Sequence, residues 1–110
     1  MEIMTRTSDG VTIVALSGSL DTTTAPEAQQ SIDEILDGGS RKLVIDFSDV
    51  DFIASSGLRV LVITAKRLGA EGGTLRICGL NETAEEVFAI SGFDTVFDVF
   101  SSESKAIEGF

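Results

Sequence analysis

The apolar positions of the chain change their spacing along its length, and each change predicts an element. The run 43–45 with Phe47 lacks clean alternation and is β-branched at its centre, which is typical of a strand covered on both faces. From Gly57 onward the spacing becomes that of one helix face, at Leu58, Leu61, Val62, Ala65 and Leu68. We therefore predict a central strand followed by an amphipathic helix, with Gly69 as its left-handed C-cap.

Two serines stand between this strand and this helix. Since neither Ala54 nor Gly57 caps a helix well, Ser55 or Ser56 is predicted to be the N-cap, with its hydroxyl accepting from an otherwise unpaired backbone N–H. The preceding residues are expected to form an acidic turn that begins at Ser48. A hydroxyl is thus predicted to lie at the positive end of a helix.

The part of the chain before the central strand predicts a hairpin and a helix. Two loosely alternating segments flank Asp9-Gly10, a dipeptide that favours a tight turn between antiparallel strands. Thr24 with Glu27 three positions later matches a capping box, so a helix is expected to start near Ala25. This order places an antiparallel strand at one edge of the sheet.

The part after the helix predicts a strand and two further helices. Thr74 to Cys78 forms the strand, in which Cys78 is a small core residue. Asn81 or Thr83 is expected to cap the next helix. Its apolar side is formed by Val87, Phe88 and Ile90, and Gly92 ends it. Residues 93–100 fit either a short edge strand or an apolar loop. A last helix through Ile107 is expected, capped by Ser101 or Ser102.

These elements predict a single α/β domain over residues 1–110, with a small mixed sheet of four or five strands packed by about four helices. Each strand-helix-strand step implies a right-handed parallel crossover. Segments that follow parallel strands emerge at the same sheet edge, where ligand and partner sites usually lie. We therefore expect Asp21 to Thr24 and Ser48 to Ser56 to form one surface.

Composition narrows the kind of partner and excludes several chemistries. The formal net charge of −10 argues against nucleic acid, because no basic stripe is present to displace phosphate counterions. The chain contains no His, which removes His-dependent triads and His metal ligands. It has one Cys, no signal peptide and no apolar run long enough to span a membrane, so we expect a cytoplasmic protein.

No cofactor or metal site is predicted, although two patterns in the sequence resemble such sites. Asp46, Asp49 and Asp51 could suggest a Mg²⁺ site, but without a phosphate-binding loop these carboxylates are better explained by turn chemistry and solvation. The glycines from 69 to 73 lack a nucleotide-binding spacing. Val60 and Ile63 point away from the main helical stripe, and are either an apolar patch for a partner or covered core.

Four ordered segments resemble the STAS domain of bacterial anti-sigma factor antagonists. They are DFSDVDFIASSGLRVLV, GSLDTTTA, GGTLRICGL and ISGFDTVFDVF, and together they extend over nearly the whole chain. The resemblance implies that Ser55 is phosphorylated by a partner anti-sigma factor that is also a serine kinase, with Ser56 as the second candidate, and that a serine phosphatase resets the switch. In one departure, Ala54 occupies the position where many members have Asp.

The resemblance implies a regulatory protein that acts by partner switching and is not an enzyme. The alternative is a STAS module that does not switch and that tethers or modulates a transporter or a sensor complex. A hydrolase or transferase with Ser55 as nucleophile lacks a His base, and neither Lys42 nor Lys66 is suitably spaced to replace it. The predicted partner-binding residues are Asp21, Thr22, Thr23, Thr24, Asp51, Ser55, Ser56, Gly57, Leu58 and Arg59.

Overall fold

The computed structural model describes residues 1–110, which form one five-stranded sheet and five helices. The strands are β1 (Glu2–Ser8), β2 (Val11–Leu20), β3 (Lys42–Ile53), β4 (Thr74–Cys78) and β5 (Asp98–Phe100). The helices are α1 (Ala25–Asp37), α2 (Ser55–Ala70), α3 (Glu82–Ser91), α4 (Phe93–Val96) and α5 (Glu103–Ile107). The mixed α/β class is confirmed, with one helix more than expected.

The sheet has the order β1-β2-β3-β4-β5, so β3 is central as predicted. β1 and β2 are antiparallel, and all other neighbouring pairs are parallel. The first hairpin turns at Asp9 and Gly10, whose φ angles of 52° and 78° are those of a type I′ turn. This turn has the twist of the strands that it joins, which explains the regular pairing from Glu2 to Ser8.

Both faces of β3 are covered, as its unbroken apolar run indicates. On one face, the buried side chains of the strands pack with those of α1, α2 and α3 in a core that includes Phe47, Leu61 and Phe88. On the other face, Val44 packs with a smaller cluster that includes Ala106 of α5. Arg76 holds this side together, because its guanidinium lies over the Phe100 and Phe110 rings and donates to the Ala106 carbonyl.

The acidic turn predicted from Ser48 is wrong, because β3 continues to Ile53. Its pairing with β2 shifts twice, since Ala15 lies opposite Asp46 but Ser17 opposite Asp49, and Gly18 opposite Val50 but Ser19 opposite Phe52. Each shift adds one residue to β3, as a β-bulge does. The bulges break the alternation that would have identified this segment as a strand.

Two helix predictions also need correction. α2 does not end at Gly69, because its helical hydrogen bonds continue and the Glu71 N–H donates to the Arg67 carbonyl; the left-handed residue is Gly72, with φ of 78°. Ile90 is not on the apolar side of α3, since 87% of it is exposed. Of residues 93–100, which fit either an edge strand or a loop, residues 98–100 form the edge strand and residues 93–96 form a helical turn.

Other helix ends agree with the sequence. Asn81 accepts from the Ala84 N–H at 2.8 Å and caps α3, and Gly92 ends α3 with a φ of 75°. Ser102 caps α5 through the Lys105 N–H. None of the helices combines the length and the apolar character that crossing a membrane requires.

Candidate functional site

The carboxyl ends of β2 and β3 bring two of the predicted segments into contact. The Ala54 N–H donates to the Leu20 carbonyl at 2.8 Å, and the hydroxyls of Thr22 and Ser56 are 3.5 Å apart. Gly57 allows this approach, because a Cβ there would lie 2.7 Å from Leu20 Cγ. The start of α2 therefore packs directly against the turn that follows β2.

The turn Asp21–Thr24, hereafter the threonine turn, is fixed by its own side chains. Asp21 Oδ1 accepts from the Thr23 and Thr24 N–H groups at 2.9 and 3.1 Å. Thr24 Oγ1 accepts from the Asp21 N–H and donates to the Ser19 carbonyl. The capping box predicted at Thr24 is therefore wrong, because these bonds occupy its hydroxyl and no side chain caps α1. The exposed groups of the turn are Thr22 and Thr23.

The predicted serine N-cap of α2 is also wrong. Ala54 is the N-cap residue, in an extended conformation, and no side chain caps the helix. Because β3 reaches Ile53 and the Ala54 N–H is bonded to Leu20, the boundary falls one residue earlier than the side chains suggest. Ser55 and Ser56 become the first two helical residues. Ser55 is exposed and its hydroxyl makes no hydrogen bond within the chain, whereas Ser56 is half-buried beside Thr22.

The first turn of α2 offers further polar groups. The Gly57 and Leu58 N–H groups donate to the Ala54 carbonyl, while no backbone carbonyl accepts from the two serine amides. Arg59 is exposed and forms no ion pair within the chain. Free amides and a free guanidinium near one hydroxyl form a place where an anion is stabilised.

The predicted partner-binding residues do not all lie on the surface. Gly57 and Leu58 are buried, so they shape the helix start from below. Asp51 is exposed and accepts from the Ser19 hydroxyl at 2.9 Å. Val60 and Ile63, which the sequence leaves as either an apolar patch or core, differ in exposure. Val60 is buried in the core, whereas Ile63 is 43% exposed.

Sequence reasoning missed Phe52. Its ring is 54% exposed, two residues before Ala54, because the second bulge of β3 turns it outward. An exposed aromatic residue beside unpaired polar groups is typical of the centre of a protein interface. No sequence signal separated it from a core residue, since the bulge that exposes it has no motif of its own.

The remaining candidates for chemistry are structural. Asp46 is buried and its Oδ1 accepts from the Ser48 N–H and hydroxyl at 2.9 and 2.6 Å. Burial, together with the neighbouring Asp46 carboxylate, raises the pKa of the Cys78 thiol to about 12. The structure holds no cluster of three or more His, Cys, Asp or Glu arranged for a metal ion.

The two cavities of the molecule lie away from Ser55. The larger, of about 420 Å³, lies between α3, α4 and β5, and the smaller, of about 120 Å³, lies on the α5 side of β1 and β2. Ser55 is exposed and lines neither cavity, which suits contact with a protein better than enclosure of a small molecule.

Residues 2–106 match the sequence profile of the STAS domain. The chain is 36% identical to BtrV of Bordetella bronchiseptica, named as an anti-sigma factor antagonist, over 93% of this chain and 88% of that protein. It is 28% identical to the anti-sigma-F factor antagonist RsfB of Mycobacterium tuberculosis, over 92% and 82%.

Solved structures agree with this relationship. The crystal structure of an anti-sigma factor antagonist from Thermotoga maritima superposes with a TM-score of 0.92 at 27% identity, over 96% of this chain and 92% of that one. An anti-sigma factor antagonist from Mycobacterium paratuberculosis superposes with a TM-score of 0.88 at 30% identity, over 96% and 90%. Sequence profile, relatives and fold agree, and the chain belongs to the STAS domain family.

Proposed function

We propose that this protein is an anti-sigma factor antagonist that binds an anti-sigma factor with serine kinase activity, and that phosphorylation of Ser55 releases it. The observation that carries this proposal is the exposed, unbonded Ser55 hydroxyl at the start of α2. The names of its relatives support it. We call the surface around this hydroxyl the docking surface, made up of the threonine turn, Asp51, Phe52, Ser55, Ser56 and Arg59.

The start of α2 accommodates a phosphate without unfolding. The Ser55 and Ser56 amides have no backbone acceptor, and the helix dipole favours a negative charge at this end. No side chain has to leave a cap to make room, since Ala54 is the N-cap residue. The phosphorylated protein is therefore expected to keep its fold.

Docking is the step that the phosphate would prevent. The phosphate adds about −1.5 to −2 charges to a surface that already carries Asp21 and Asp51. Burying that charge against a partner shaped for a neutral hydroxyl would cost several kcal/mol. A loss of about 3 kcal/mol is already more than a hundredfold in affinity.

Arg59 strengthens this switch from within the protein. It lies one helical turn after Ser55, on the same side of α2, and has no carboxylate partner in the chain. In the unmodified protein its guanidinium is available to an acidic group of the partner. A phosphate on Ser55 would bind the Arg59 guanidinium. The partner would then lose its contact with that cation and would also face the negative charge of the phosphate.

Titration calorimetry with the kinase recovered by pull-down from the source cells tests the proposal. Ser55→Asp is expected to weaken binding by about a hundredfold, as the desolvation argument requires. Ser55→Ala should bind but accept no phosphate. The matched control is Ser104→Asp, which places the same charge on an exposed serine in the first turn of α5. A Ser55→Asp protein with an unchanged circular dichroism spectrum and undiminished affinity would contradict the proposal.

A second candidate is a STAS module that does not switch and that tethers a transporter or sensor complex. The observation that favours it is Ala54, where many members of the family have Asp. Intact-mass measurement on protein recovered from cells, with and without stress, separates the two. A phosphate on Ser55 supports switching, with a serine phosphatase to reset it, and its consistent absence supports tethering. Either role places the protein in the cytoplasm.

A further inference from the structure

The two edges of the sheet differ in how well they are protected from another chain. β5 is only three residues long, which limits pairing. β1 has seven residues, contains neither proline nor a bulge, and pairs with β2 in an unbroken register. Since β1 is the last strand on its side, its outer edge is a regular row of unpaired backbone groups.

The hairpin determines which groups those are. A two-residue turn makes its flanking pair, Ser8 and Val11, a hydrogen-bonded pair, and such pairs then alternate along an antiparallel ladder. The even-numbered residues of β1 therefore bond to β2. Ile3, Thr5 and Thr7 direct their N–H and C=O groups to the free edge.

The sequence of β1 is complementary to itself in one register. An antiparallel pair of β1 strands centred on Met4 places Ile3 opposite Thr5 of the second copy, and the reverse, so the outward-facing groups bond each other. The same register places Glu2 opposite Arg6 of the second copy, twice by symmetry. A shift by two residues in either direction separates these charges, because Arg6 then lies opposite Met4 or beyond the second copy's β1.

We propose that β1 is the interface with a second copy of this chain, in a two-fold dimer whose sheet is continuous across both copies. Cross-strand pairing of opposite charges specifies the register, and Met4 meets Met4 of the second copy at the axis. Met4 is 69% exposed, and it borders the cavity of about 120 Å³ lined also by Ile13 and Ala15. The second copy covers this apolar surface.

One existing contact favours the interface. Arg6 pairs with Glu103 of α5, yet its side chain remains 57% exposed. A guanidinium has five donors, so it can bond both Glu103 and Glu2 of the second copy. Glu103 thus holds the Arg6 side chain at the edge where the second copy would meet it.

The dimer is independent of the function proposed above. Ser55 follows β3, two strands away from β1 in the sheet order, so pairing through β1 leaves the docking surface open. The two docking surfaces would face opposite ends of the joined sheet, because the two β1 strands run antiparallel. Failure of either proposal would therefore leave the other standing.

Sedimentation equilibrium on the full chain, over micromolar to millimolar concentrations, tests the charge pairs. Glu2→Arg and Arg6→Glu are each expected to weaken dimerisation about tenfold or more, since symmetry replaces two attractive pairs with two repulsive ones. The double variant E2R/R6E should return to within about threefold of the parent, because both pairs are restored with reversed sign.

The same series excludes a general effect of charge. Glu2→Arg makes the chain less negative and Arg6→Glu makes it more negative, so repulsion between copies alone would shift the two single variants in opposite directions. Such opposite shifts, or a parent that stays monomeric at millimolar concentration, would overturn the proposal. Glu103→Gln is the control for the loss of the contact that Arg6 makes with α5.

A backbone variant supplies a second readout. Thr5→Pro removes an N–H that faces the free edge and leaves the hydrogen bonds to β2 in place. It should abolish dimerisation while the circular dichroism spectrum of the monomer stays unchanged. A Thr5→Pro protein that is folded and still dimeric would also overturn the proposal.

Discussion

The two ends of α2 treat their polar groups in opposite ways. At its carboxyl end Arg67 bonds Asp37 at 2.6 Å and Glu71 at 2.9 Å, and Arg41 reaches the same Glu71 at 2.8 Å. At its amino end Ser55 has no hydrogen bond and Arg59 no ion pair. One end is satisfied within the chain, and the other is left available to something outside it.

The arginines near the two ends of α2 differ in whether they have a carboxylate partner. The hydrogen bonds from Arg67 to Asp37 and Glu71 raise its pKa further above its ordinary value, so it stays charged. Three of the eight Lys and Arg residues, namely Arg6, Arg41 and Arg67, pair with a carboxylate of the chain. Arg59 and Lys66 both lack such a partner, but only Arg59 lies one helical turn from Ser55. Within the docking surface, Ser55 and Arg59 are therefore side chains left free for a partner.

The largest expected effect comes from closing the space under the amino end of α2. In Gly57→Ala the new Cβ would meet Leu20 Cγ at 2.7 Å and the Leu20 carbonyl at 3.0 Å, so the helix start must shift. We expect a loss of about 1–3 kcal/mol in the free energy of unfolding, measured by urea denaturation. The control is Gly69→Ala on the same helix, which meets nothing within 4 Å and should stabilise by up to about 1 kcal/mol.

The next effect separates the two cations exposed on α2. Arg59→Ala is expected to weaken binding to the kinase by about tenfold with no change in stability, because its guanidinium contacts only the partner. Lys66→Ala removes an exposed cation two turns further along, outside the docking surface, and should leave the affinity unchanged. Equal losses for the two variants, measured by calorimetry, would show that overall charge rather than position is responsible.

The pH dependence of stability tests the effect of burial on the Cys78 thiol. Folding raises the pKa of Cys78 from about 9 to about 12, so above pH 9 the unfolded chain loses this proton while the folded chain keeps it. The free energy of unfolding should therefore fall as pH rises through this range, by roughly 1 kcal/mol at about pH 10. Cys78→Ala should lose this component of the slope, and an identical slope would contradict the assignment.

The smallest effect is expected at the carboxyl end of α2. Arg67→Ala removes the contacts to Asp37 and Glu71, and we expect a slightly lower melting temperature that depends on salt, because exposed ion pairs are screened. Binding of the kinase should be unaffected. Reduced binding together with unchanged stability would reverse the contrast between the two helix ends.

Elements with a clear local signal could be predicted from the sequence. The Asp9-Gly10 turn, the central strand, the Asn81 cap and the Gly92 helix end follow from local chemistry that the fold does not alter. The contact between the threonine turn and the helix start also follows from topology, because parallel strands end at one sheet edge.

Features that depend on tertiary contacts could not be predicted in this way. Thr24 fits a capping box by sequence, but Asp21 and Ser19 take its hydroxyl in the folded chain. Ala54 has no capping side chain, and becomes the N-cap residue because the Leu20 carbonyl holds its N–H. The bulges of β3 depend on pairing with β2, so neither they nor the outward turn of Phe52 have a sequence signal.

The length of β3 has a thermodynamic consequence for recognition. The two bulges add two residues to β3, which ends at Ile53. Since α2 begins at Ser55, only Ala54 separates the strand from the helix, and no flexible linker precedes Ser55. A disordered acceptor segment would lose about 1–2 kcal/mol of conformational entropy per residue on being immobilised by a partner. Here that ordering has already taken place during folding, and the acceptor is preorganised. Because binding then requires little further ordering of the chain, a small change in contact energy is expected to change the affinity by nearly its full amount.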